Sequence, residues 1–285
     1  MSFAQRLRRI VEYRAVLWTL VKRDLRIRYA RSVLGYLWTL IDPLAMTLVY
    51  WFVFGVIYGI GTGASAERRS DGIPFVVFLV AGVLVWNWFN NSVNETARAL
   101  YSERLLVRST NLPRELWVIR VVLSKGIEHL LSLPILVLFV AFFAARHDIV
   151  LNWKLVYWIP ALVLELVLCI GVGLVMAPVT ALVDDFVRIV RIVLRIGFYL
   201  TPIVYSLNYL RTRGQQPHEH ALLVIARMLE FNPLSAINDM YRQGMLVRAT
   251  PEYRIWLIGT VISFGWLFFG MWVFARLEKP ILKEI

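Results

Sequence analysis

The sequence predicts an all-α integral membrane protein with six transmembrane helices, an N-terminal amphipathic interface helix, and short re-entrant or interfacial helices between the fifth and sixth spans. Three observations predict this class. Of the 285 residues, 59% are hydrophobic and 18% charged, whereas soluble domains run about 45–50% apolar and about 25% charged. The mean hydropathy is +0.64, and the apolar excess falls in long charge-poor runs. The basic residues behind the net charge of +12 lie mostly between those runs, nine of the 31 preceding residue 33. Opposed there only by Glu12 and Asp24, these nine contribute +7 beside the first span. Basic residues so placed mark topology and attract anionic lipid, at about 1 kcal/mol each, rather than nucleic acid.

Residues 1–32 read as a cytoplasmic interface helix and 33–285 as the transmembrane domain. Over about 6–28, Ile10, Tyr13, Leu17, Val21 and Leu25 share a face opposite Lys22, Arg23 and Arg26, as a helix lying on a membrane does. Asp24 and Arg28, four apart, are expected to pair. The first span covers about 43–60, with Asp42 as its cap and Pro43 in its first position. The second covers about 73–91, and the third about 127–145. The fourth, about 155–183, exceeds one bilayer thickness, so it needs a kink or an extended end; Glu165 is its one charge. The fifth, about 189–205, carries Arg191 and Arg195 in its first turns, and the sixth covers about 255–275. With both termini cytoplasmic, 21 of the 31 Lys and Arg fall inside. The outer segment of about 206–254 contains Leu222–Leu229 and Ala236–Tyr241 at helical spacing, read as two short interfacial helices.

Enzyme signatures are missing. There is no G-x-x-x-x-G-K-[ST] for nucleotide, no H-E-x-x-H and no nucleophile elbow. Cys169 is the only cysteine, and His218–Glu219–His220 sits in a polar loop where solvation is expected. Neither a catalytic residue nor a metal ligand set is assigned, and no cofactor is expected in this chain.

The run Arg23–Asp24–Leu25–Arg26–Ile27–Arg28–Tyr29, then Ser32 to Trp38, then Pro43–Leu44, resembles the N-terminal signature of ABC-2 type permeases that export polysaccharides such as O-antigen, capsule and teichoic acid. Ala81–Gly82 to Trp86, Asn111 to Glu115, Thr201 to Tyr205, Asn232–Pro233–Leu234 and Tyr241–Arg242 extend the resemblance in the same order over nearly the whole chain. Asp42 departs from it, standing where the family has a neutral polar residue. The resemblance implies a permease subunit of the bacterial cytoplasmic (inner) membrane. Two copies would form the pathway, and two copies of a separate ABC ATPase would bind ATP and Mg. The substrate implied is a glycan linked to polyprenyl pyrophosphate.

It also implies a coupling segment, about 98–114, that seats in the ATPase; Tyr101, Glu103, Arg104, Leu105, Leu106 and Arg108 are its candidates, against a solvated connector. Aromatic faces let a sugar polymer slide, so Tyr58, Trp86, Phe89, Tyr199 and Tyr205 are candidates for the path, against an ordinary interfacial belt. Arg191 and Arg195, with Arg28 or Arg31, are candidates to receive the pyrophosphate, against lipid headgroups or Asp184 and Asp185. Glu165 is an intramembrane charge that lines the path, pairs across helices or stays protonated. Export of a small molecule or drug is the alternative within the fold. A polyprenyl-phosphate-using glycosyltransferase is the alternative outside it, with Asp184–Asp185 as its only acidic pair.

Overall fold

The computed structural model describes residues 3–30, 32–59, 70–149, 151–245 and 251–284, and these are helical with no strand among them. Five stretches are long and apolar enough to cross a membrane: Gly35–Ile57, Phe75–Thr96, Glu115–Ala145, Trp153–Leu182 and Tyr253–Ile281. The fifth predicted span is a helix of only 16 residues, Asp185–Leu200, carrying Arg188, Arg191 and Arg195.

Two helices, α1 (Phe3–Glu12) and α2 (Arg14–Tyr29), replace the single N-terminal helix of the sequence reading. They part at Tyr13, whose ψ of 16° leaves the helical region. Each half has its own anchor. Arg6 of α1 binds Glu115 and, at 2.9 Å, Glu278, while α2 buries Val21 and Leu25. The expected Asp24–Arg28 pair does not form. Asp24 accepts from Arg120 at 2.7 Å, and Arg28 turns to Glu95 at 2.7 Å and Glu128 at 3.1 Å.

The first long helix starts before Pro43. Ser32 Oγ accepts the Gly35 N–H at 3.1 Å, Gly35 adopts a φ of +49°, and a 3-10 turn, Gly35–Leu37, leads into α3 (Trp38–Tyr50). Pro43 therefore lies inside the helix, and Asp42 is no cap. A π-helical stretch, Trp51–Ile57, continues α3.

The central helix is α4 (Phe75–Thr96), buried along most of its length. Two short helices follow, α5 (Ala99–Ser102) and α6 (Arg104–Ser109), and then α7 (Glu115–Ala145). That last helix begins twelve residues before the predicted 127 because its charges are neutralised internally. Arg120 meets Asp24 and Glu103, and Lys125 meets Glu95 and Glu128 at 2.6 and 2.9 Å. The extended end expected of the fourth span is a 3-10 turn, Trp153–Tyr157, capped by the Asn152 side chain, leading into α8 (Trp158–Leu182).

The short helix α9 (Asp185–Leu200) precedes α10 (Leu207–Gly214), α11 (Ala221–Glu230), α12 (Pro233–Gln243) and α13 (Tyr253–Glu284). Sequence spacing anticipated α11 and α12 but not α10. Nine of the eleven residues of α12 are buried, so it lies among α4, α8 and α13 and not on a surface. The closest helix pair is α8 with α13, where Gly171 faces the Trp266–Leu267 backbone and Gly270 faces the Gly171 carbonyl. Absence of a side chain lets the backbones approach this closely. Both chain ends lie at one end of the bundle, where Glu278 of α13 also binds Arg114 at 2.9 Å.

Candidate functional site

At that basic end, a cavity of about 700 Å³ opens between α2, α4, α5, α7 and α9, lined among others by Arg23, Arg28, Arg98, Arg120 and Arg191. Most of this charge is already used. Arg23 and Arg120 share Glu103, at 2.6 and 3.2 Å, and Arg120 also holds Asp24. Burial works against the Arg28 charge, but Glu95 and Glu128 outweigh it and hold its pKa above the usual value. Its guanidinium is therefore committed to two carboxylates. Arg98 and Arg191 are exposed and make no ion pair among the described residues. Guanidinium groups in that state suit a phosphate ligand.

The predicted gate is thus partly assembled. Arg28 and Arg191 share the cavity; Arg195 is exposed but lines no part of it; Arg31 lies outside the described residues. The sequence reading placed Arg98 in the coupling segment and overlooked it here. Its position immediately after α4, two residues past Thr96, was the available signal. Asp185 is 3.7 Å from Arg188, an exposed pair worth little, and leaves Arg191 alone.

In the coupling segment, Tyr101, Arg104, Leu105, Leu106 and Arg108 are exposed, Leu105 at 78%. Val107 is buried beneath them, and Arg104 lies over the Tyr101 ring at 5.1 Å. Glu103 instead points inward to Arg23 and Arg120 and ties the segment to α2 and α7.

The five aromatic candidates come together in one network. Tyr50, Phe54 and Tyr58 follow one another along α3 and its π-helical extension, with ring centroids 6.2 and 6.1 Å apart. The wider π turn keeps residues four apart nearly in line. Tyr50 stacks on Phe198 at 4.9 Å, and Phe198 meets Trp86 at 5.7 Å and Tyr199 at 5.2 Å. Trp86 meets Phe89 at 5.9 Å, and Tyr205 donates to the Tyr199 carbonyl at 3.1 Å. Trp86 can sit against α9 because Gly197 has no Cβ, which would stand 3.1 Å from the indole. Tyr58 and Tyr199 are exposed, at 68% and 61%, and Trp86 and Phe198 are buried behind them. One wall of α3, α4 and α9 is therefore aromatic from its midpoint toward the end opposite the basic cavity.

Glu165 does not join this wall. It is fully buried in α8, and neither oxygen has a hydrogen-bond partner. Among the described residues no group of His, Cys, Asp and Glu could hold a metal ion.

A bundle of long apolar helices with an aromatic wall and a basic cavity at one end defines the membrane component of a transport system. The chain belongs to the ABC-2 type transporter family, whose profile matches residues 15–246. It is similar to the O-antigen export system permease protein RfbA of Myxococcus xanthus, with 26% identity over 98% of both chains. A Klebsiella pneumoniae protein of the same name is 24% identical over 81% of this chain and 82% of its own. The polysialic acid transport protein KpsM of Escherichia coli is 21% identical over 92% of this chain and 93% of its own.

Proposed function

We propose that this chain is the permease subunit of an ATP-driven exporter that carries a polysaccharide linked to polyprenyl pyrophosphate across the cytoplasmic membrane. The aromatic wall carries this reading: it offers ring faces to successive sugars and demands no one pattern of hydroxyls. Full-length similarity to proteins named for O-antigen export and polysialic acid transport supports the same substrate class.

In this reading both termini face the cytoplasm, two copies form the path, and two copies of a separate ATPase hold ATP and Mg. The exposed surface of Leu105, Leu106 and Arg108 on α6 meets that ATPase. The six-span count is completed by α9, about 24 Å long at 1.5 Å per residue, with α12 inserted above its end as a re-entrant helix. Arg98 and Arg191 receive the pyrophosphate while Arg28 holds the cavity together.

The test is reconstitution with the partner ATPase. Lipid-linked polysaccharide is expected to stimulate ATP hydrolysis, and the double variant Arg98→Glu/Arg191→Glu to remove most of that stimulation, about tenfold for two charge-assisted contacts, while basal hydrolysis persists. Stimulation by small amphiphiles but not by the glycan lipid would instead support small-molecule export. Replacing Tyr58, Tyr199 and Tyr205 together by Ala is expected to slow polymer export at least severalfold with the complex still assembled. Unchanged export by that assembled variant would show that the wall is not the path.

A further inference from the structure

A second cavity, of about 410 Å³, lies on the other side of Arg28, between α2 and α3 on one wall and α4 and α7 on the other. Its basic residues are not free. Lys125 Nζ sits 2.6 Å from Glu95 and 2.9 Å from Glu128, and Arg28 binds the same two carboxylates. The carboxylate left over is Asp42, one turn into α3, exposed and without an ion pair or hydrogen bond among the described residues. An unpaired charge near the start of an apolar span asks for a partner, and a carboxylate asks for a cation.

The surroundings specify what kind. Trp38, one turn before Asp42 and 43% exposed, and Trp88 across the cavity offer aromatic faces, which favour an ammonium. Trp88 is 5% exposed, and its indole N–H is buried with no acceptor. The Asn87 carboxamide also makes no hydrogen bond among the described residues. These donors suit an anion held close to the ammonium. The exposed faces of Leu37, Ile41 and Met46 continue from this cavity along α3 as an apolar surface for acyl chains.

We propose that this cavity binds a phospholipid bearing a primary ammonium, phosphoethanolamine being the headgroup that fits. Asp42 accepts from the ammonium between Trp38 and Trp88. The phosphate oxygens accept from Trp88 Nε1 and Asn87. The proposal concerns a lipid that stays with the permease, and it stands or falls separately from the exported substrate.

The full-length chain, embedded in nanodiscs of phosphatidylethanolamine, phosphatidylcholine and phosphatidylglycerol with matched acyl chains, is released for native mass spectrometry and its retained lipids are counted. Phosphatidylethanolamine is expected to be retained preferentially. Asp42→Asn is expected to lower its retention about tenfold, the loss of one charge-assisted contact, and to leave phosphatidylglycerol unchanged. Trp38→Leu, at a second exposed position, is expected to lower it as well. Equal retention of the choline lipid, preference for phosphatidylglycerol, or an Asp42→Asn variant that keeps its phosphatidylethanolamine would overturn the proposal. So would displacement of the lipid by free glucosamine, which would assign the ammonium to an amino sugar.

Discussion

Gly171→Val is expected to deplete the folded permease, with a loss of roughly 3 kcal/mol or more, at or beyond the upper end of ordinary overpacking. A Cβ at Gly171 would stand 2.5 Å from the Leu267 nitrogen and 2.6 Å from the Trp266 carbonyl carbon. Those are backbone atoms of α13, so no side-chain rotation relieves the clash. Across the same contact, a Cβ at Gly270 would meet the Gly171 carbonyl oxygen. The helices would have to move apart along their whole crossing, and close packing is the main force between helices in lipid. Gly265, also on α13, supplies the control, because nothing lies within 4 Å of its Cβ direction. Gly265→Ala is expected to melt at the wild-type temperature or slightly above, since Ala is the better helix former by about 1 kcal/mol. Thermal unfolding in detergent, read by size exclusion, checks both; equal melting of the two variants would mean that the crossing is looser than drawn.

Hydropathy located the long helices because each is a continuous apolar run, but the ends depended on charge pairing that no single segment contains. The boundary at 127 followed from reading Arg120 and Lys125 as exposed, whereas Asp24, Glu95, Glu103 and Glu128 cancel them inside the bundle. Pairing Asp24 with Arg28 failed for the same reason: both side chains reach residues about 70 to 100 positions away, and four-residue spacing cannot see those. The aromatic wall was more legible. Tyr58, Trp86, Phe89, Tyr199 and Tyr205 were singled out by type and by place along the spans, and they meet through Tyr50, Phe54 and Phe198. The basic cavity was half legible. Sequence identifies a guanidinium but not whether a carboxylate already occupies it, and that difference separates Arg28 from Arg98 and Arg191.

Arg242→Met is expected to unseat α12 and to abolish export. Only 5% exposed, Arg242 has no carboxylate within ion-pair distance among the described residues and is satisfied by carbonyl groups. Its Nη1 donates to Pro202 O at 2.8 Å, and its Nη2 to Ile203 O at 3.0 Å and Phe78 O at 3.2 Å. The guanidinium also lies 3.4 Å from the center of the Phe78 ring. The Pro202 and Ile203 carbonyls follow the end of α9, where the chain leaves its helix inside the bundle and helical partners run out. One side chain of α12 thus closes the end of α9 and fixes both to α4. Methionine keeps much of the volume and removes every donor, leaving buried carbonyls at about 1–3 kcal/mol each. Lysine restores a charge but not the planar fork, so Arg242→Lys is expected to recover only part of the loss. The approach is possible because Gly82 has no side chain, since a Cβ there would stand 2.7 Å from Nη2 and 3.2 Å from the Ile203 Cα. Gly82→Ala should therefore mimic the loss of Arg242. The double variant should be less destabilised than the sum of the two single ones, because each disrupts the same contact. Additive melting shifts, or an Arg242→Met variant that melts and exports as the wild type does, would show that α12 is held by its apolar face alone.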